Sequence, residues 1–335
     1  MKERFSCSLD GNMWWKPFLG FIILSFAFTI PIQKATNSLD ISAAPSVILS
    51  AFLFIIVLSL VFSGIQAAFY VLLARIALPS ITFKEKSFSF TGSVGEFVSL
   101  NLVCTGLTIV TLGFYLPWYY TRINRYFFSH IAYNGKPAGF LGNPKNLIKP
   151  FLLGLILPLV LWSFAFAFVF LLAEIYNANN LIDIANTFYM LSSLIYLSII
   201  FLFIPFMYYF LKWIVNITWK EFLFTWKAEF WKSCFFIAGR VFLVIITLGI
   251  YFPAFMLSVW EYFVERVVIE KENIPVARFA FIREKGTDFK YLWIQILLSL
   301  VTVGIYLPWA YANCIRFFAE KTFFQDEQLT LPEKK

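Results

Sequence analysis

The chain has 335 residues, of which 60% are hydrophobic and 21% aromatic, whereas only 14% are charged. A soluble domain carries about 25% charged residues, so this composition excludes an ordinary water-soluble protein. The formal net charge of +8 comes from Lys and Arg in short segments beside apolar runs, which favours anionic headgroups of a lipid bilayer as partners and argues against nucleic acid.

Seven apolar stretches follow one another along the chain, and each reaches or comes close to the roughly 20 residues that a membrane-crossing helix needs. They lie at residues 17–32, 47–78, 97–114, 150–173, 187–211, 233–252 and 291–306. Because the runs are continuous rather than alternating, they predict helices and not lipid-facing strands. The predicted fold class is therefore an all-α polytopic membrane protein, with residues 1–335 forming one integral membrane domain. Short F-x-F segments could add small β-hairpins at the interface.

A motif, T-[LV]-G-[FI]-Y-[LF]-P, occurs three times, each time at the end of an apolar stretch. The copies belong to repeated modules at about 86–132, 222–270 and 277–324, and helical hairpins are predicted at about 14–80 and 147–212. Glycine lets backbones approach, proline breaks a helix, and Tyr and Trp favour the headgroup boundary. The predicted structural residues of the motif are Gly113, Tyr115, Pro117, Trp118, Gly249, Tyr251, Pro253, Gly304, Tyr306, Pro308 and Trp309.

Basic residues after the motif create a conflict over topology. If all seven stretches cross the membrane, the connector that carries Arg122 and Arg125 lies outside, against the positive-inside rule. The conflict disappears if the proline-terminated stretches enter and return on the same side. Four full crossings then remain, with seven as the alternative, and Arg122, Arg125 and Arg316 become interfacial basic residues on amphipathic segments.

The runs FSFTGSVGEF, TLGFYLPW and RINRYFFSHIAYNGKPAGFLGNP resemble the YjgN family, bacterial inner-membrane proteins of unknown function. The resemblance extends over most of the chain. It implies a fold and a multi-pass location in the bacterial inner (cytoplasmic) membrane, and it implies no activity.

Three polar side chains inside the apolar stretches, Asn101, Arg240 and Gln295, are candidates for an intramembrane site, because embedded polar groups are costly. Arg240 and Gln295 each precede the threonine of their motif copy by seven residues, where the first copy has Cys104, so we expect equivalent depths. The structural alternatives are that Arg240 reaches the interface and that Asn101 and Gln295 form interhelical hydrogen bonds.

Catalytic chemistry has no support in the sequence. There is no embedded carboxylate pair and no phosphate-binding loop, and four separated cysteines with one histidine predict no metal site. We therefore expect no enzyme and no cofactor. Two functions remain: transport of a small molecule or ion through broken helices, or a non-catalytic envelope scaffold that binds lipid or a partner protein.

Overall fold

The computed structural model describes residues 2–37 and 44–326. Along these ranges each helical hairpin is preceded by one β-strand and followed by another. The helices are α1 (Gly11–Asn37), α2 (Pro45–Ala77), α3 (Val94–Val110), α4 (Leu116–His130), α5 (Pro144–Phe151), α6 (Leu157–Ala178), α7 (Ile182–Ile214), α8 (Phe230–Ile246), α9 (Phe252–Val264), α10 (Lys285–Val301) and α11 (Leu307–Lys321). The strands are β1 (Lys2–Cys7), β2 (Ile81–Phe83), β3 (Lys86–Phe90), β4 (Ile131–Tyr133), β5 (Lys136–Pro137), β6 (Gly139–Phe140), β7 (Ile217–Trp219), β8 (Phe222–Trp226), β9 (Val267–Lys271), β10 (Ile274–Phe281) and β11 (Thr322–Asp326).

The strands form one antiparallel sheet of eleven, in the order β5-β4-β3-β2-β1-β11-β10-β9-β8-β7-β6. The outermost strands, β5 and β6, are neighbours in sequence, with only Ala138 between them. The indole of Trp219 on β7 also donates to the Lys136 carbonyl on β5 at 3.1 Å. The sheet is therefore a nearly closed, barrel-like structure.

The predicted all-α fold class was wrong, because the chain combines its helices with this sheet. The strands have two to eight residues and lie between apolar helices of up to 33 residues, so the helices dominate the hydropathy profile. A lipid-facing strand is recognised by about ten residues that alternate between apolar and polar, and strands this short cannot show that pattern.

The helical hairpins share one plan of connection. Each is preceded by one strand and followed by the neighbour of that strand in the sheet: β1 and β2, β3 and β4, β6 and β7, β8 and β9, and β10 and β11. The pairing reaches the helix ends, since Phe90 is opposite Ile131 and Phe281 is opposite Thr322. Each of the five hairpins thus leaves the sheet and returns to it beside its point of departure.

Four helices are long and apolar enough to cross a membrane. They are α1 with 27 residues, α2 with 33, α7 with 33, and a continuous helix of 35 in which the π-helical stretch Leu152–Ile156 joins α5 to α6. At about 1.5 Å per residue, each exceeds the roughly 30 Å of a hydrocarbon core. By contrast, α3, α8 and α10 have 17 residues each, which corresponds to about 25 Å.

The described residues divide into two compact units. The first takes them from Met1–Leu141, Ile217–Phe224 and Met256–Lys335, and the second from Gly142–Asn216 and Thr225–Phe255. In the first unit α1 packs against α2 and α11, and α2 packs against α3. In the second unit α7 packs against α6 and α8.

Candidate functional site

Each motif copy closes a short hairpin with the same turn. In the second copy Leu248 and Gly249 have φ of 48° and 87°, the Gly249 amide donates to the Val244 carbonyl at 2.8 Å, and the Thr247 hydroxyl accepts from the Tyr251 amide at 3.0 Å. The other two copies repeat this geometry: their pairs with positive φ are Leu112 with Gly113 and Val303 with Gly304. The glycine turn therefore ends the first helix, as in a Schellman cap.

The motif prolines start the second helix of each hairpin. Pro117 and Pro308 stand in the first turn of α4 and α11, where a missing amide donor costs no helical hydrogen bond. Pro253 has the equivalent position in α9, and all three prolines are buried. The combination of glycine and proline thus encodes a tight reversal between two helices.

The motif tryptophans pack beside the tyrosines. Tyr115 stacks on Trp118 with ring centroids 6.0 Å apart, and Tyr306 stacks on Trp309 at 6.2 Å. Trp309 also lies against Gly11 at the start of α1, where a Cβ would come within 2.5 Å of the indole. Both tryptophans therefore provide packing contacts beside the motif tyrosines, and the Trp309 indole also donates a hydrogen bond to α1.

The tips of the three short hairpins are apolar and fully exposed. Leu112, Leu248 and Val303 expose 89%, 93% and 92% of their surface. Aliphatic residues rarely adopt a positive φ. A single exposed apolar side chain is common on protein surfaces, but a cluster of them is not. Here flanking residues such as Val110, Ile250 and Val301 are exposed too, and the tips suit an apolar environment.

Gln295 belongs to a polar cluster inside the third hairpin. Its Oε1 accepts from the Tyr306 hydroxyl and from the Asn313 amide, each at 3.0 Å. Asn313 in turn accepts from the Arg316 guanidinium at 2.9 Å. The predicted residues Gln295, Tyr306 and Arg316 are thus brought together, and Asn313 was missed.

Arg240 contacts the motif tyrosine of its own copy, as Gln295 does. Its guanidinium donates to the Tyr251 hydroxyl and lies 5.2 Å from the centroid of the Phe236 ring. In the first copy Cys104 holds the same position beside Tyr115. In all three copies the motif tyrosine therefore meets the residue seven positions before the threonine.

Asn101 bonds to two neighbouring helices. Its amide donates to the Ser63 carbonyl at 3.0 Å and to the Ser63 hydroxyl at 2.7 Å, while the Tyr119 hydroxyl donates to its Oδ1 at 2.7 Å. Two basic residues of the same hairpin, Arg122 and Arg125, are exposed on α4. Arg122 lies 5.7 Å from the centroid of the Tyr115 ring.

The sheet encloses a cavity of about 420 Å³, which we name the sheet cavity. Its volume is within the range of about 300–1,000 Å³ typical of small-molecule sites. Most of its lining is aromatic and comes from strands far apart in sequence. The aromatic lining residues are Phe5, Phe83, Phe88, Phe128, Tyr133, Trp219, Phe222, Phe224, Phe279 and Phe324.

Sequence reasoning missed this cavity, although the F-x-F segments carry a signal for it. Phe88 and Phe279 line the cavity. Two residues further on, Phe90 stacks on Phe127 of α4, and Phe281 packs against Phe318 of α11. A period of two keeps the rings on one face of a strand. The first ring of each F-x-F pair thus belongs to the wall of the cavity, and the second packs against a helix beyond it.

Lys84 is the one charged side chain among the described residues that line the cavity. It lies in the turn between β2 and β3, with its ammonium 2.7 Å from the Glu3 carboxylate and 5.6 Å and 5.8 Å from the ring centroids of Phe83 and Phe324. The nearby Tyr133 hydroxyl donates to the Phe83 carbonyl at 2.7 Å. Burial raises the pKa of Tyr133, an effect that the positive charge of Lys84 opposes.

A family model with the description "Bacterial protein of unknown function (DUF898)" matches residues 85–274. This range runs from β3 to the start of β10 and includes the first two motif copies. No curated protein and no solved structure matches the chain.

Proposed function

The chain belongs to the DUF898 (YjgN) family of bacterial proteins of unknown function, and from that premise we propose that it is a multi-pass inner-membrane protein that binds a hydrophobic small molecule in its sheet cavity. The observation that carries the proposal is the cavity itself, with its aromatic lining and a volume of about 420 Å³.

The membrane part of the proposal is supported by the two kinds of hairpin. Four helices have the length and apolar character for crossing, while the three short hairpins have apolar, exposed tips. Since each hairpin starts and ends at neighbouring strands, four crossings and three re-entrant hairpins leave the whole sheet on one side of the membrane. The basic residues Arg122, Arg125 and Arg316 favour the cytoplasmic side.

The binding part of the proposal is supported by the chemistry of the lining. Aromatic rings that face empty space lose the dispersion contacts that a close-packed interior would give them. A hydrophobic ligand would restore those contacts. Of the two functions that the sequence left open, the aromatic lining favours the binding of lipid or a similar molecule.

Transport has weaker support from the arrangement of the polar groups. A transport site needs polar side chains that face the substrate path. Arg240 and Gln295 instead form hydrogen bonds with Tyr251 and Tyr306 of their own hairpins. Asn101 forms one with Ser63 on the adjacent helix α2. That pattern favours a structural role for them.

The test is photo-crosslinking of the full chain in lipid nanodiscs, with a diazirine-bearing long-chain alcohol as the probe. We expect cross-linked peptides from β2–β3, β7–β8 and β10. Val276→Trp places a large side chain in the cavity and should reduce this cross-linking at least tenfold. Ile274→Trp is the matched control, because Ile274 lies on the same strand but is exposed and outside the lining.

Cross-linking confined to the long helices, or unchanged in Val276→Trp, would contradict ligand binding in the cavity. Equal thermal unfolding midpoints for the two variants would show that the tryptophans differ in ligand binding and not in folding.

A further inference from the structure

The ligand of the sheet cavity can be described more closely, on the basis of the proposed function. We infer that the cavity binds a single-chain amphiphile whose anionic end, a carboxylate or a phosphate monoester, pairs with Lys84. The hydrocarbon chain extends from Lys84 along the aromatic wall toward Phe128.

The direction follows from the two ends of the lining. Lys84 lies in the turn between β2 and β3, at the end of the sheet away from the helices. Phe128 belongs to α4 and lies at the opposite end, where the strands meet the hairpins. The cavity therefore runs from a charged end to a purely apolar end, as an amphiphile requires.

The Lys84 ammonium can accommodate a second anion. An ammonium has three donors, and the described contacts of Lys84 are one carboxylate, that of Glu3, and two aromatic rings. The Lys84 side chain remains 53% exposed, whereas that of Glu3 is 24% exposed. An anionic ligand would thus reach Lys84 from the cavity, and Glu3 would compete with it.

The volume limits the ligand to one chain of moderate length. The cavity volume of about 420 Å³ lies near the lower end of the range of about 300–1,000 Å³ for small-molecule sites, which suits one hydrocarbon chain. We therefore choose tetradecyl compounds as probes.

The experiment measures competition against the diazirine alcohol in nanodiscs. The competitors are tetradecanol, tetradecanoate and tetradecyl phosphate, so the neutral arm tests the cavity and the two anionic arms distinguish the sources of charge. We expect at least one anionic compound to compete about tenfold better than tetradecanol. Lys84→Gln should remove that preference, while tetradecanol competes as before.

Two further variants separate this effect from a general disturbance. Glu3→Gln removes the competing carboxylate and should strengthen the anionic competitors. Lys86→Gln is the matched control, because Lys86 lies in the same hairpin, bonds to Asn134 at 3.1 Å and does not line the cavity. It should leave all three competitors unchanged.

Equal competition by all three compounds, or an anionic preference that survives Lys84→Gln, would overturn the assignment of the anionic end while leaving the hydrophobic site intact. Failure of tetradecanol and of the anions alike would instead overturn the proposed function. A preference for the phosphate alone, lost in Lys84→Gln, would support the inference and identify the phosphate as the source.

Discussion

The long and the short hairpins connect neighbouring strands of the same sheet but reverse direction with different residues. The hairpin of α6 and α7 turns at Asn179–Leu181, and the residue with positive φ is Asn180, at 60°. The short hairpins place Leu112, Leu248 or Val303 in a similar backbone conformation. Asparagine tolerates this conformation better than other residues with a side chain, and Val tolerates it poorly. The aliphatic choice therefore has a purpose beyond the turn.

We infer from this difference that each tip residue matches the medium around it. A polar tip on a 33-residue helix suits water on the far side of a bilayer, whereas an apolar tip on a 17-residue helix suits the hydrocarbon interior. Helix length and tip chemistry point the same way in both cases. Topology can thus be tested at the tips themselves.

Cysteine labelling should give the largest effect, an all-or-none difference in accessibility. In a chain whose four native cysteines are replaced by alanine, we expect Asn180→Cys to react only from the periplasmic face and Asn134→Cys only from the cytoplasmic face. Leu248→Cys should react with a charged maleimide from neither. Labelling of Asn134→Cys from the periplasm alone would rule out re-entrant hairpins, and labelling of both asparagine sites from one face would remove the contrast between long and short hairpins.

The turn glycines should give the next largest effect, with opposite signs inside one hairpin. Gly249 has φ of 87° and open space around a potential Cβ, so Gly249→Ala should destabilise by the backbone term alone, about 1–2 kcal/mol. Gly239 lies within α8, also with open space, and Gly239→Ala should stabilise by up to about 1 kcal/mol. The measurement is the thermal unfolding midpoint in nanodiscs. An unfolding midpoint for Gly249→Ala as high as that of the unmodified chain would show that the turn does not need its left-handed glycine.

The sequence predicted the helical hairpins better than what joins them. The modules 86–132 and 277–324 are predicted from repeated sequence motifs. In the structure the first begins at β3 and ends at β4, and the second begins within β10 and ends within β11. The motif itself could be interpreted locally, since threonine, glycine and proline act within one turn. The sheet could not, because β5 is only Lys136–Pro137 and has meaning only beside β4.

The site was predictable to a similar degree. The spacing of Arg240 and Gln295 from their threonines indicated equivalent depths, and both meet the motif tyrosine. The sheet cavity could not be predicted, because Phe5 and Phe324 come from opposite ends of the chain and lie on strands that pair only in the folded protein. Tertiary pairing, and not local propensity, creates that space.

The tyrosine hydroxyls should give the smallest effect, graded across the three short hairpins. Tyr306→Phe removes one hydrogen bond to Gln295 and should cost about 0.6 kcal/mol, the average for such bonds between membrane helices, because Asn313 still donates to Gln295. Tyr251→Phe should cost more, since it removes an acceptor from the charged Arg240. Tyr115→Phe should be nearly neutral, because the Tyr115 hydroxyl lies beside Cys104 but is buried without a hydrogen-bond partner among the described residues.

The grading also bears on function, because two of the tyrosine partners, Arg240 and Gln295, were predicted as candidates for an intramembrane site. A double-mutant cycle of Tyr306→Phe with Gln295→Leu should give a coupling close to the cost of the single Tyr306→Phe change, since the two side chains share that bond. If the cycle instead shows no coupling, the hydroxyl and the amide act separately in the membrane. Gln295 would then keep its bond to Asn313 but not the one to Tyr306, and its amide group could face a substrate, which would strengthen the case for transport through the short hairpins.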